Sequence, residues 1–248
     1  MAPMKKHFAI GVAVVAVSLG LALWLTGPRD SAQSSAAAAT TAPSASAMTS
    51  AQADLLANAR FRDYQNRVSV IDASVPISGQ LFELDGRVDW QNHLGYATLT
   101  AQQQGGGTEL LQWTPYGIAV RGGWSGPLPA TPPADGWAVR AWQPGTDLDT
   151  ALQLILDLST DRPENAQALQ RSGAGVLWHD SVGGEHMTVF AGPPERGDAD
   201  TDSHTRYWIA DDGSLRRFEA LIDGSTAWTD VHLVPGSAPA VPHIPGVS

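Results

Sequence analysis

Four regimes of apolar spacing succeed one another along the chain. Residues 8–25 form an uncharged, largely apolar run of 18 residues, long enough to span about 27 Å as a helix. Residues 26–50 are dominated by Ala, Ser and Thr and show no apolar period, as expected of a solvated linker. From Ala51 to Val234 the apolar positions recur first at helical and then at strand spacing, and residues 235–248 carry Pro235, Pro239, Pro242 and Pro245, which predicts a disordered tail.

Within residues 51–234, Thr49 or Ser50 caps an expected helix over 51–64 with Leu55, Leu56, Ala59 and Tyr64 on its apolar face. Period-two runs come next at Val68–Val75, Leu81–Leu84, Arg87–Gln91, Tyr96–Ala101, Glu109–Trp113, Ile118–Arg121 and Trp137–Trp142, with Asp85-Gly86 read as a hairpin turn. The period then lengthens: Leu148, Ala151, Leu152, Ile155 and Leu156 describe an amphipathic helix after Thr146, with Asp147, Asp149 and Asp157 expected outward. A short helix is expected between Pro163 and Gly173. Alternation resumes over Val176–Asp180, His186–Ala191, Thr205–Ile209, Leu215–Ile222 and Ala227–Val234, with turns at Gly183-Gly184, Asp212-Gly213 and Asp223-Gly224. Ten or eleven strands and three helices in this order describe an α+β domain built on an antiparallel sheet.

Composition narrows the function. The chain has 248 residues and a net charge of −10, and from Ala51 onward twelve arginines face twenty-four acidic residues, so no basic patch is available for nucleic acid. The absence of cysteine removes disulfides, thiolate metal sites and a lipid-modified cysteine anchor. Lys5, Lys6 and His7 precede the apolar run, which places residues 1–7 in the cytoplasm and exports the chain beyond residue 25. A retained transmembrane signal-anchor and a cleaved signal peptide, with Ala36–Ala39 near the cleavage site, both fit this pattern.

Several local motifs resemble one family. They are Asp85-Gly86-Arg87-Val88-Asp89 followed by Gly95-Tyr96-Ala97; Leu177-Trp178-His179-Asp180 before Gly183-Gly184; Phe190-Ala191-Gly192-Pro193; and Tyr207-Trp208-Ile209-Ala210-Asp211-Asp212-Gly213-Ser214-Leu215-Arg216-Arg217. In this order, and with this order of elements, the chain resembles the half-barrel lipid and lipoprotein carriers of the LolA/LolB type, including the actinobacterial LppX/LprG lipoproteins. The resemblance implies a strongly curved, incompletely closed antiparallel sheet with three helices over its concave face. It also implies an extracytoplasmic binder or carrier of a lipid or other hydrophobic ligand, held at the membrane here by the N-terminal helix because the anchor cysteine is missing. A sensing or protein-interaction ectodomain on the same fold is the alternative.

An apolar concave face must be filled by side chains or by a ligand. Eight of the nine tryptophans lie beyond residue 50, and alternation offers Trp113, Trp142, Trp178 and Phe218, with Leu152 and Ile155 from the helix, as a cavity lining. Packing between sheet and helices is the competing use of the same residues. Candidate chemistry is thin. Asp198, Asp200 and Asp202 have calcium-loop spacing but Ser203 and Ile209 stand where glycine and glutamate are needed; His179, His186 and His204 lack a metal-binding spacing; Ser125 falls short of a nucleophile elbow. No catalytic residue, metal or cofactor is therefore assigned.

Overall fold

The computed structural model describes residues 44–103, 106–194, 203–222, 225–236 and 238–244. The expected membrane segment 8–25, most of the linker, the Asp198–Asp202 run and the Asp223-Gly224 turn lie outside these residues. Among the described residues no helix is long and apolar enough to cross a membrane.

Helix α1 (Ser50–Asn66) begins at a capping box: the Gln52 backbone N–H donates to the Thr49 hydroxyl, and Thr49 N–H donates to the Gln52 side chain at 2.9 Å. Its buried face is Ala53, Leu56, Ala57, Ala59 and Asp63, so a carboxyl replaces Tyr64 on the inward stripe. The chain then lays down β1 (Val68–Ile77), β2 (Gln80–Asp89), β3 (Leu94–Ala101), β4 (Thr108–Thr114), β5 (Gly117–Trp124) and β6 (Ala138–Arg140) as a meander. Helices α2 (Asp147–Leu156) and α3 (Ala166–Arg171) come next, and β7 (Gly175–Val182), β8 (Glu185–Ala191), β9 (Thr205–Ala210), β10 (Leu215–Leu221) and β11 (Trp228–Pro235) meander back.

All eleven strands form one antiparallel sheet in the order β6-β5-β4-β3-β2-β1-β11-β10-β9-β8-β7. The first and last strands meet at its centre, with Ile71 opposite Leu233 and Ala73 opposite Val231, and β6 and β7 are its edge strands. Because α2 and α3 connect one edge to the other, the crossover has to pass over a face of the sheet. A flat sheet of this width would be about 48 Å across, more than short helices can cover. One apolar core nevertheless joins Leu56 and Leu152 from the helices to Ile118 on β5 and Phe190 on β8, as expected of a curled, unclosed half-barrel with helices inside it.

Several local expectations are corrected. Asp85-Gly86 is no turn: β2 runs through it, and the turn before it is Ser78-Gly79, both at positive φ. Gly86 faces Ala97, where an added Cβ would stand 2.3 Å from the Tyr96 carbonyl oxygen, so glycine is there for close strand approach. Asp149 points inward, 2% exposed, because it clamps the edge strand: Arg140 donates to both its oxygens at 2.6 and 2.7 Å, and Gln143 N–H donates at 2.7 Å. The linker is docked at its end, Ser46 bridging Val176 and Met48 sitting in the core. The proline-rich tail is likewise packed over 238–244, with Val241 against Leu94 and Tyr96. Prolines cannot donate, but their carbonyls accept, and Gln112 holds both Pro242 O and Ile244 N–H, at 2.9 and 2.7 Å. The third helix is also shorter than expected, starting at an Asn165 cap beyond Pro163.

Candidate functional site

The structure brings five of the six expected lining residues into one place and sends the sixth elsewhere. Trp113, Leu152, Ile155 and Phe218 are buried in the main core, and Trp142 packs against it with its indole N–H donated to Thr114 O at 3.1 Å. Trp113 lies flat over Gly95, whose hydrogen leaves the ring its space, and its own buried N–H has no acceptor. Trp178 is on the outer face, edge-on to Trp208 with ring centres 5.9 Å apart. A bulge causes this: Val176 pairs with the inward Phe190, but Trp178 pairs with the outward Val189, and the extra residue between them reverses the alternation.

A cleft of about 400 Å³ opens beside the β1–β2 turn, lined by Pro76, Gly79, Leu81 and Ala227, and two more open where the helices meet the C-terminal half of the sheet; none of those six residues lines any of the three. Tyr207 and Thr205 are successive inward positions of β9. Tyr207 floors a cleft of about 220 Å³ walled by Leu56, Ala59 and Arg60 of α1, Leu169 of α3, Glu164, Gly192 and Pro193. Beside it, Thr205, Ala220 and Ile222 line a cleft of about 340 Å³ under Thr150 and Leu154 of α2. Helical spacing puts Leu56, Ala59 and Arg60 on one stripe of α1. The segment after α2 is stitched to that helix, with Thr160 N–H donating to Arg60 O at 3.2 Å and Glu164 N–H to Ala57 O at 2.9 Å.

The cleft over Tyr207 is apolar at its floor and polar at its rim. Tyr207 leans on Phe218 with ring centres 5.1 Å apart. Burial raises its phenol above the ordinary value, against the lowering effects of its hydrogen bond with Thr205 and the charge of Arg60. At the rim Arg60 Nη1 donates to Glu164 Oε1 at 2.9 Å, and the guanidinium Nε is buried without an acceptor. Gly192 keeps the cleft open, since a Cβ there would stand 2.1 Å from Thr205 Oγ1 and 3.2 Å from the Tyr207 ring.

Elsewhere the functional groups disperse. His179 and His186 stack at 5.4 Å on the same face of the sheet as Phe190, and His186 meets Asp211 at 3.1 Å. His204 precedes the opposite end of β9. On the outer face of the C-terminal half, Arg206 lies 4.1 Å over Trp228 and Arg217 4.6 Å over Trp208, within an ion-pair row that includes Glu219 and Asp230.

No family model matches the chain, and no curated protein matches it. Solved structures similar to it include the Mycobacterium tuberculosis lipoprotein LppX, at 11% identity over 70% of this chain and 90% of that one, with a TM-score of 0.40. A DUF1329 family protein from Desulfovibrio piger is similar at 13% identity over 74% and 90% of the two chains, with a TM-score of 0.27. A domain described as an outer membrane lipoprotein-sorting protein from Vibrio parahaemolyticus is similar at 9% identity over 67% and 82%, with a TM-score of 0.20. The half-barrel class is defined by this chain's own strand order and helix cover.

Proposed function

We infer that the protein is a non-enzymatic, extracytoplasmic binder of a hydrophobic ligand, tethered through residues 8–25. The observation that carries the reading is the pair of clefts along β9, both set between helices and the sheet and lined in part by apolar side chains, Leu56, Ala59, Leu169 and Pro193 in one and Leu154, Ala220 and Ile222 in the other. The core behind them is closed, with Leu152 and Ile155 fully buried. A larger ligand would therefore enter by displacing α2 or α3 from the concave face, and would find the unpaired Trp113 N–H as a donor. Native mass spectrometry of the protein purified from membranes, with organic extraction of any co-purifying molecule, tests this. A bound lipid or other apolar molecule is expected. A ligand-free protein that also fails to bind diacyl lipid, without change in tryptophan fluorescence, would overturn the reading.

The interaction-module alternative is favoured by one observation, the row of arginines stacked on Trp178, Trp208 and Trp228 on the outer face. Tryptophan and arginine are the residues that dominate protein contact energies.

A further inference from the structure

We propose that the smaller cleft, between α1, α3 and β9, takes the single chain of an uncharged amphiphile whose ester or amide carbonyl sits at the Arg60–Glu164 pair. This rests on the hydrophobic-ligand reading and specifies its ligand class. Leu56, Ala59, Leu169, Pro193 and Tyr207 supply an apolar wall with no charge below the rim. At about 220 Å³ the space falls below the roughly 300–1,000 Å³ of ordinary ligand pockets, which suits one chain of medium length and not two.

The rim selects the headgroup. Arg60 and Glu164 are each about one third exposed, at 32% and 34%, so both are reachable from the mouth. As a pair they carry no net charge. An anionic headgroup would meet the Glu164 carboxylate in a protein whose net charge is −10, and a cationic one would meet the guanidinium. A carbonyl oxygen has neither problem. With Nη1 engaged by Glu164 and Nε buried without an acceptor, a small turn of the guanidinium gives an entering carbonyl a charge-assisted hydrogen bond, and a hydroxyl on the same headgroup can donate to Glu164.

Calorimetric titration of the delipidated full chain with 1-decanoylglycerol and with decanoate, each below its aggregation concentration, tests this. Saturable binding of 1-decanoylglycerol is expected, with decanoate at least about tenfold weaker. Arg60→Met keeps the helix and the apolar stem; with an unchanged thermal midpoint it should weaken 1-decanoylglycerol binding about tenfold. Leu169→Trp should fill the cleft and abolish binding, and Arg60→Met decides the matter if that variant does not fold. Decanoate binding as tightly as the glyceride, or an Arg60→Met variant that binds like the wild type, would overturn the headgroup assignment. A protein that yields an extractable lipid yet ignores 1-decanoylglycerol overturns this inference and leaves the hydrophobic-ligand reading standing; a protein that does neither overturns both.

Discussion

Asp63 is a buried carboxyl without a hydrogen-bond partner and gives a sharp test of the fold. It sits on the inward stripe of α1, fully buried, and neither of its carboxyl oxygens has a hydrogen-bond partner. Burial raises its pKa well above the ordinary carboxylate value, more than the Arg216 charge lowers it. The folded state therefore holds this proton to a higher pH than the unfolded chain does. Below the unfolded value of about 3.9 both states are protonated and the group costs only its missing hydrogen bonds. As pH rises from there toward the raised folded value, stability falls by up to about 1.4 kcal/mol per pH unit, and it levels off beyond. Asp63→Leu removes both costs and fills the site with apolar atoms. An unsatisfied buried polar group costs about 1–3 kcal/mol, so the variant should gain at least that much at neutral pH. Arg216 is not orphaned by the change, because Glu185 holds it through two contacts, at 2.9 and 3.0 Å. Urea midpoints of wild type and variant from pH 4 to pH 8 measure the difference, in which the other carboxylates largely cancel. Two parallel pH curves, or a variant less stable than wild type at pH 7, would refute the placement of Asp63.

Three further outcomes are expected. Gly86→Val drives a side chain into the Tyr96 carbonyl and Ala97, so it should cost about 1–3 kcal/mol or more in thermal or urea unfolding, whereas a turn glycine outside a strand would tolerate it far better. Asp149→Ala removes three hydrogen bonds at the β6 edge and should cost about 1.5–3 kcal/mol; although burial pushes the Asp149 pKa up, the bonds from Arg140 and Gln143 bring it below the ordinary value, so this stability is present above about pH 3.9 and is lost as pH falls through the lowered folded value. Gln112→Ala should strip hydrogen-exchange protection from the Ile244 amide, which donates to the Gln112 side chain at 2.7 Å, and unchanged protection would show that the tail is held by Val241 and Ile244 alone.

Much of this fold is legible in the sequence because both of its periods are simple. Leu152, Ile155 and Leu156 mark the inward stripe of α2, and each of the eleven strands begins or ends within a few residues of an alternating run. Two of the misreadings share a cause: a residue type with two structural uses takes the less frequent one. Asp85-Gly86 has the composition of a turn, yet Gly86 serves close packing against Ala97. Asp149 has the composition of a helix exterior, yet its partner Arg140 is an edge-strand residue that only the crossover brings near. At Trp178 the alternation itself fails, since a bulge adds one residue at Leu177 and nothing in the composition of Val176-Leu177-Trp178 announces it.

The residues of the cleft are partly visible in the sequence, and their joint role is not. Gly192, Pro193 and Tyr207 belong to motifs that stand out along the chain, but the signal they carry is of strand ends and turns. Their combined effect depends on a missing Cβ at position 192, which leaves Thr205 and Tyr207 their room. The polar half of the site depends on Arg60 and Glu164, 104 residues apart, and no local spacing relates them. Topology brings them together: a chain that leaves the sheet at one edge and re-enters at the other must carry its crossover back across α1, and Glu164 is fixed to that helix by the backbone bond to Ala57. Trp113, Leu152, Ile155 and Phe218, expected to line an interior cavity, are all but fully buried in the core. The two clefts along β9 lie at the seam between helix layer and sheet. On the proposed binding role, parting the two surfaces there would leave the hydrogen-bond ladder of the sheet intact.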